Sequence, residues 1–323
     1  MRIAALASPE AAGGKAASLA GQLGQALKGR TICAVKGWGG EAIGGTLLKA
    51  EPSGQGYVAS LEAAVEALYR EQPDAYVLLG GDGLAAYAAQ TLLRLGAKQP
   101  VLIGLAGGTA NVGPIVSMTV DEFAARGLET LSFTPCDALE ALSDTGRLAL
   151  GFNDLVLGNT LLATVRGQAV TIDALALAGD GARIPARPME RIASQLRVLK
   201  NGQPVPLGQA APAQAVLSAI SGDRTYGRAV LGALCCAAGE GHAAALSLLA
   251  KPVITFEPLA AGFSEFMNVS QLLFGPGDEL EISGLLEGVC LIADGNPYPL
   301  DQGVLKVRML QDAVRIVERS GAA

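Results

Sequence analysis

Over the first hundred or so residues, short uninterrupted apolar runs alternate with longer stretches whose apolar positions recur every three or four residues. Residues 3–7, 31–35, 76–79 and 101–105 are the apolar runs, and they read as strands. Residues 15–27, 59–69 and 84–95 carry the helical spacing. A strand that is apolar on both faces must be covered on both, so this alternation predicts βαβ units and a parallel sheet between helical layers. Beyond about residue 125 the texture changes. Short apolar segments around Leu139 and over 148–153, 155–157, 164–170 and 195–199 are punctuated by Gly, Asp-Gly and Pro, which predicts a β-rich part built from hairpins. The stretch 201–214 reads as an exposed loop. Residues 229–250 form the most continuously apolar stretch, but Glu240, His242 and several glycines interrupt it, so a buried helix is expected there and not a membrane span. The expected organisation is an α/β domain over 1–125 and a β-rich domain over 126–300. A C-terminal segment, 301–323, is expected to return to the first domain.

Composition narrows the possibilities. A chain of 323 residues, half of them hydrophobic, can bury two cores. Aromatic residues make up only 4%, too few for a base-stacking surface. The net charge is −6 with no basic cluster, which argues against nucleic acid or an anionic membrane as partner. The five cysteines (Cys33, Cys136, Cys235, Cys236, Cys290) form no Cys-x-x-Cys and read as buried thiols of a reducing, cytoplasmic compartment. Residues 1–10 have an apolar run too short for a secretory signal and read as the first strand.

Several chemistries can be set aside. His242 is the single histidine, which leaves little for a zinc site or a Ser-His-Asp triad, and no Gly-x-Ser-x-Gly elbow occurs. Gly37-Trp38-Gly39-Gly40-Glu41-Ala42 fits the dinucleotide fingerprint only loosely, and no Walker A lysine motif is present.

Two strand exits remain. The run 75–79 ends in Gly80-Gly81-Asp82-Gly83, and the run 101–105 leads into Ala106-Gly107-Gly108-Thr109-Ala110-Asn111-Val112-Gly113. Glycines there can adopt φ > 0 or let phosphate oxygens approach the backbone, and a following helix offers its N-terminal amides. Both loops would lie at the carboxyl edge of the sheet, where open α/β sheets bind ligands. Each loop alone is equally well a tight turn with no ligand. The carboxylate of Asp82 inside such a cradle calls for a metal, a proton or a catalytic role.

Together these motifs resemble the NAD kinase and diacylglycerol kinase superfamily, whose pattern is Gly-Gly-Asp-Gly-Thr followed by Gly-Thr-x-Asn. Further likenesses run nearly the whole length. Ser8-Pro9-Glu10-Ala11-Ala12-Gly13-Gly14-Lys15 is similar to the family's opening loop, and Phe152-Asn153-Asp154 to the Asn-Glu/Asp motif of NAD kinases. Ser221-Gly222-Asp223-Arg224-Thr225-Tyr226 falls where NAD kinases carry Thr-Gly-Ser-Thr-Ala-Tyr, and Asp294-Gly295 resembles a late turn of the second domain. Leu84 stands where the family has threonine, and Ser8 where it has asparagine. The texture is most similar to the NAD-kinase-like branch that includes the acetoin-catabolism X protein.

The resemblance implies a two-domain NAD kinase-like fold and phosphoryl transfer from ATP or polyphosphate, with Mg²⁺, to a ribose hydroxyl of NAD or a related nucleotide bound between the domains. It implies Asp82 as general base or metal holder, with no further metal ligand identified. Gly80, Gly81, Gly83, Gly107, Gly108, Thr109 and Asn111 would bind phosphate, with Lys15 as a weaker contact. Asn153, Asp154, Gly222 and Tyr226 would bind the acceptor. A homodimer or homotetramer is also implied. Two alternatives stay open: a lipid kinase of the diacylglycerol type, and a non-catalytic nucleotide-binding protein, to which the Leu84 replacement points.

Overall fold

The computed structural model describes residues 1–9, 11, 15–107, 113–165, 168–208, 211–221, 224–225, 242–255, 268–301 and 303–318. The chain divides into two compact units, Met1–Cys136 with Asp312–Ala323, and Asp137–Gln311.

The first unit begins with β1 (Arg2–Ala7), α1 (Ala16–Ala26), β2 (Thr31–Val35), the short α2 (Gly40–Ile43), β3 (Thr46–Leu48) and α3 (Tyr57–Arg70). It continues through β4 (Ala75–Gly80), α4 (Asp82–Arg94), β5 (Val101–Ala106), β6 (Val116–Met118) and α5 (Val120–Arg126). Its strands lie in the order β5-β4-β1-β2-β3, every neighbour parallel. The apolar runs explain this arrangement. In β1, Ile3, Ala5 and Ala7 pack with Leu23 of α1, with Leu27 just after that helix and with Phe123 of α5. On the opposite face α3 packs over β1 and β2, and α4 over β4, as the both-face burial predicts. The chain runs from β1 outward to β3, then crosses back to β4 on the other side of β1. Loops leaving β1 and β4 therefore diverge at one point of the carboxyl edge. The Ser8 N–H bonds the Leu79 carbonyl at 2.9 Å there.

The second unit is built from antiparallel strand pairs. It contains β7 (Phe133–Ser143, whose start lies in the first unit), β8 (Gly146–Gly151), β9 (Leu155–Gly158), β10 (Thr160–Val165), β11 (Gln168–Asp173) and α6 (Ala174–Asp180). There follow β12 (Ala193–Lys200), β13 (Gln203–Pro204), β14 (Gln214–Ser221), β15 (Arg224–Thr225) and β16 (His242–Leu249). The last elements are β17 (Val269–Phe274), β18 (Glu279–Leu285), β19 (Cys290–Ala293), β20 (Asn296–Pro299) and β21 (Leu305–Val317). One sheet runs β17-β16-β14-β9-β19-β20. Its inward residues, among them Leu155, Leu157, Leu217 and Leu246, pack against Leu196, Val198, Leu280, Ile282 and Val307 of β12, β18 and β21. Its alternate residues, Val156, Val216, Ile220 and Ile292, face a smaller core with Leu161, Ile172 and Ala174 of the β10–β11–α6 cover. Period-two alternation thus supplies both cores. β21 pairs with β18 through Leu305–Arg308 and with β5 through Arg315 and Ile316. The left-handed residue Asp312 (φ 49°) interrupts it where the units divide.

A buried charge on β7 is matched in place. Glu140, with 2% of its side chain exposed, is bound by Arg147 of β8 and by the Arg308 Nε of β21 at 2.6 Å. The two-residue turns Asn201-Gly202 and Asp294-Gly295 have φ > 0 at both positions, the geometry that Asn-Gly and Asp-Gly hairpins favour.

One expectation is corrected. The stretch 229–250 is not a single buried helix: among its described residues, His242–Leu249 is β16, a strand paired on both sides by β14 and β17. Its Ala-Leu composition favours a helix locally, and cross-strand packing of Ala244, Leu246 and Leu248 into the core overrides that preference. Within 164–170, the described residues end β10 and begin β11, which pair antiparallel as the expected hairpin pattern requires. Cys33, Cys136 and Cys290 are buried free thiols, while Cys235 and Cys236 lie outside the described residues.

Core position and exposure lead to a stability prediction. Leu217→Ala, at a fully buried inward position of β14, should destabilise the protein by about 3 kcal/mol. Leu175→Ala, with 43% of the residue exposed, should cost under about 1 kcal/mol. Urea unfolding followed by circular dichroism measures both, and equal losses would contradict the assignment of the core.

Candidate functional site

The carboxyl edge of the parallel sheet is built by close backbone approach. β4 and β5 pair up to Gly80 and Ala106, and beyond them the Gly107 N–H donates to the Gly80 carbonyl at 2.8 Å. A Cβ on Gly107 would lie 3.2 Å from the Gly80 Cα and nitrogen and 3.1 Å from the Ala11 Cβ, so the loop from β1 closes on the same point. Gly81 caps α4 in an extended conformation (φ −98°, ψ 179°), Asp82 opens the helix, and Gly83 lies within its first turn. None of Gly80, Gly81, Gly83 and Gly107 has positive φ, contrary to the left-handed turn that glycine permits. Their smallness serves close contact.

Asp82 sits in the first turn of α4, where the helix dipole favours a carboxylate. Its Oδ2 accepts the Gly113 N–H at 3.0 Å. A Cβ on Gly113 would meet the Asp82 Oδ1 at 2.9 Å and Cγ at 3.0 Å, so Gly113 has to be glycine for the carboxylate to stay where it is. Gly107 and Gly113 therefore both tie the β5 exit to the β4–α4 turn. Gly108, Thr109 and Asn111, between them, lie outside the described residues. Leu84, at the family's threonine position, is 5% exposed and packs its branched side chain over Gly80, 3.2 Å from where a Cβ on that glycine would stand. Lys15 is exposed and immediately precedes α1.

A second polar corner forms in the other unit. Phe152, Asn153 and Asp154 connect β8 to β9, and their three consecutive N–H groups donate to one carboxylate. Asp294 Oδ2 takes Phe152 at 2.7 Å, and Oδ1 takes Asn153 at 2.8 Å and Asp154 at 3.0 Å. The Asp294 N–H returns to the Asp154 carbonyl at 3.1 Å. Asn153 is buried, and its Nδ2 donates to the Asp154 Oδ2 at 2.8 Å. The Asn153 Oδ1 is buried without a hydrogen-bond partner among the described residues, so this corner presents an unused acceptor. Burial, and then the neighbouring Asp154 charge, push the Asp294 carboxyl up to about 8, against the pull of its three amide donors. Sequence patterning signals the Asp-Gly turn but not what its carboxylate holds, since the partners lie 140 to 142 residues away. Gly222 and Tyr226 lie outside the described residues. Gly80, Gly81, Asp82, Gly83 and Gly107 thus come together in one unit, and Asn153 and Asp154 in the other.

The loosely matching fingerprint at Gly37–Ala42 is occupied by its own chain: the Glu41 carboxylate accepts the Gly37 N–H at 3.0 and 3.2 Å. Among the described residues no three His, Cys, Asp or Glu side chains cluster as a metal site, and no helix is long and apolar enough to cross a membrane.

No protein-family model and no curated protein matches this chain. Solved structures do. An NAD kinase from Archaeoglobus fulgidus, solved in complex with ATP, superposes with a TM-score of 0.53 at 14% identity, covering 99% of this chain and 94% of that one. A yeast NADH kinase complexed with NADH superposes with a TM-score of 0.56 at 13% identity, covering 99% of this chain and 84% of that one. The chain has the two-domain fold of the NAD kinases, with a parallel α/β part and β-rich sheets.

Two predictions rest on these geometries. Gly113→Ala forces a methyl onto the Asp82 carboxylate and should lower stability by about 1–3 kcal/mol, read as a fall in the thermal midpoint. Asp294 keeps its proton in the folded chain up to about pH 8, whereas the unfolded chain releases it near 3.8. Its contribution to stability is therefore full below about pH 4 and is lost as pH rises through 8. Thermal midpoints measured across that window should fall more steeply for the wild type than for Asp294→Asn. Parallel curves would show that Asp294 does not titrate there.

Proposed function

We propose that this chain is a phosphotransferase of the NAD-kinase type, moving a phosphoryl group from ATP or polyphosphate to a ribose hydroxyl of NAD or a related nucleotide. The observation that carries this reading is the carboxylate of Asp82, fixed by the Gly113 amide at the N-terminus of α4 beside two glycine-only strand exits. A carboxylate held among phosphate-approaching backbone has a use if it takes a proton from an attacking hydroxyl. The fold supports the same reading, and the archaeal NAD kinase solved with ATP favours ATP as donor.

In this reading the amides of Gly81, Gly83 and Gly108 neutralise donor-phosphate charge, Gly107 gives the phosphate room while its own N–H stays on Gly80, and Thr109 and Asn111 add a hydroxyl and an amide. Phosphoryl transfer depends chiefly on such positioning and electrostatics. Asn153 and Asp154 hold the acceptor, the buried Asn153 Oδ1 accepting a ribose hydroxyl and the Asp154 carboxylate accepting another. Gly222 and Tyr226 complete the acceptor site. Asp294 keeps that corner in shape by holding three backbone amides. The donor set suits magnesium carried on nucleotide phosphates better than a resident protein cage, and Asp82 is the carboxylate that would hold it if it served as metal holder in place of base. Bound there, the ion would offset charge on the transferring phosphoryl group. A cytoplasmic homodimer or homotetramer of the NAD-kinase-like branch completes the proposal.

One observation favours a second reading, a nucleotide-binding protein without turnover. Leu84 covers Gly80 with carbon where the family pattern places a hydroxyl.

Incubation with Mg-ATP and NAD should yield NADP. Asp82→Asn should cut the rate by about a hundredfold or more while the protein stays folded, because an amide oxygen still accepts the Gly113 N–H. Nucleotide binding with no product from NAD would favour the second reading. Phosphatidate formed from a diacylglycerol dispersion would overturn the choice of acceptor.

A further inference from the structure

A buried hydroxyl with no structural use stands beside the Asn153–Asp154 corner. β9 and β14 pair antiparallel through Leu155↔Leu217, Val156↔Val216 and Leu157↔Ala215, and one step further the register sets Ser218 opposite Asp154. Asp154 is still within the ladder there. Its N–H goes to the Asp294 Oδ1 and its carbonyl takes the Asp294 N–H, both on the β19 side. Towards β14 it therefore forms a non-hydrogen-bonded pair, the kind whose Cα atoms lie about 4.5 Å apart with both side chains on one face. Val156 and Val216, next in that alternation, share the smaller core, so Ser218 and Asp154 are turned to the same side of the sheet.

Ser218 is 0% exposed, and its Oγ has no hydrogen-bond partner among the described residues. A buried hydroxyl left unmade destabilises a fold, so packing alone does not select it. Alanine is what this part of the sheet uses otherwise: Ala219 beside it, Ala245 directly across on β16 and Ala244 are all buried. Ser247, two residues along β16 from Ala245, shows what a structural serine does here. It is equally buried, and its Oγ takes the Gln271 Nε2 at 3.0 Å.

Asn153 supplies the complement. Its Nδ2 donates to the Asp154 carboxylate, and an ionised carboxylate only accepts, so the orientation of the amide is fixed and Oδ1 is left as a buried acceptor without a partner among the described residues. The corner thus holds one unmade acceptor and one unmade donor, and it opens to solvent at the half-buried Asp154. A hydroxyl group both gives and takes hydrogen bonds, whereas the amino group of a base only gives and a ring nitrogen only takes.

We propose that Ser218 is a substrate-binding residue of this corner and that, with Asn153, it grips one sugar hydroxyl of the nucleotide from both sides. The hydroxyl donates to the Asn153 Oδ1 and accepts from the Ser218 Oγ–H. Ser218 thereby sets specificity for a hydroxyl over a hydrogen at that sugar position. The inference rests on the reading of this corner as the acceptor site of a nucleotide kinase, but it requires only binding and no turnover.

Two measurements test it. Thermal unfolding of the free protein separates an idle hydroxyl from a structural one. Ser218→Ala should raise the thermal midpoint by about 2–4 °C, because it removes an unmade polar group, while Ser247→Ala should lower it. Isothermal titration calorimetry with NAD and its four mono-deoxy forms, each lacking one ribose hydroxyl, reads the grip. Ser218→Ala should weaken NAD binding by about five- to tenfold, and one deoxy form should bind the wild type weaker by about the same factor. For that form alone Ser218→Ala should cost nothing further, as two changes that break one contact do not add. Ser247→Ala should leave NAD binding unchanged. A lower midpoint for Ser218→Ala, NAD binding indifferent to it, or a loss shared equally by NAD and all four deoxy forms would each overturn the proposal. Absence of saturable NAD binding would overturn it together with the choice of acceptor. The expected binding pattern without NADP formed from Mg-ATP would overturn the kinase reading and support this one.

Discussion

At the carboxyl edge of the first unit, the backbone of β5 comes so close to the backbone of β4 that no side chain fits between them. The Gly107 N–H meets the Gly80 carbonyl at 2.8 Å, and a Cβ on Gly107 would press on the Gly80 backbone. That contact decides the rest of the edge. It aligns the two strand exits, turns the chain into α4 with Asp82 as the first helical residue, and lets Gly113 return to the carboxylate. A methyl on Gly107 would part the exits by a few tenths of an ångström or more, enough to separate the acid from the amide that orients it.

The second unit solves a related problem by other means. There a carboxylate also gathers backbone amides, but Asp294 stands in a two-residue hairpin and not at a helix start. Three consecutive N–H groups at Phe152, Asn153 and Asp154 have no strand partner on that side, and one side chain satisfies them all. Such a nest is inexpensive to form once the sandwich core brings β9 beside β19, since Leu155 and Ala293 already sit in register. The corner then presents Asn153, whose buried oxygen no group among the described residues uses. In both corners a residue is positioned by backbone geometry that tertiary packing has fixed beforehand.

The sheet also gives the first unit two unlike edges. At the carboxyl edge, glycines expose backbone amides and an acid. At the amino edge, the connections into β4 and β5 each turn at a left-handed glutamine before a proline, Gln72-Pro73 and Gln99-Pro100. β4 reaches from one to the other, with Tyr76 near its start and Gly80 at its end.

Much of the fold is legible in the sequence by itself. The apolar runs at β1, β2, β4 and β5 mark a sheet covered on both faces, because a strand buried twice has no polar positions to spare. The Asn201-Gly202 and Asp294-Gly295 turns are readable for the same local reason, since few residues tolerate φ > 0 at both turn positions. The glycine-rich exits flanking Asp82 are also plain from composition. What the local pattern could not decide was anything resting on distant partners. β16 has helix-forming composition and becomes a strand only because β14 and β17 lie on either side of it. Gly80 and Gly107 look like turn-formers, and instead Gly107 makes room for the Gly80 backbone and Gly80 for the Leu84 side chain. The role of Asp294 rests on amides more than a hundred residues away, and no spacing rule reaches that far. Local sequence determined which segments extend, coil or turn, because those preferences depend on adjacent side chains and backbone sterics. Tertiary structure alone decided which carboxylate meets which amide, because that depends on cores that form only when the whole chain has packed.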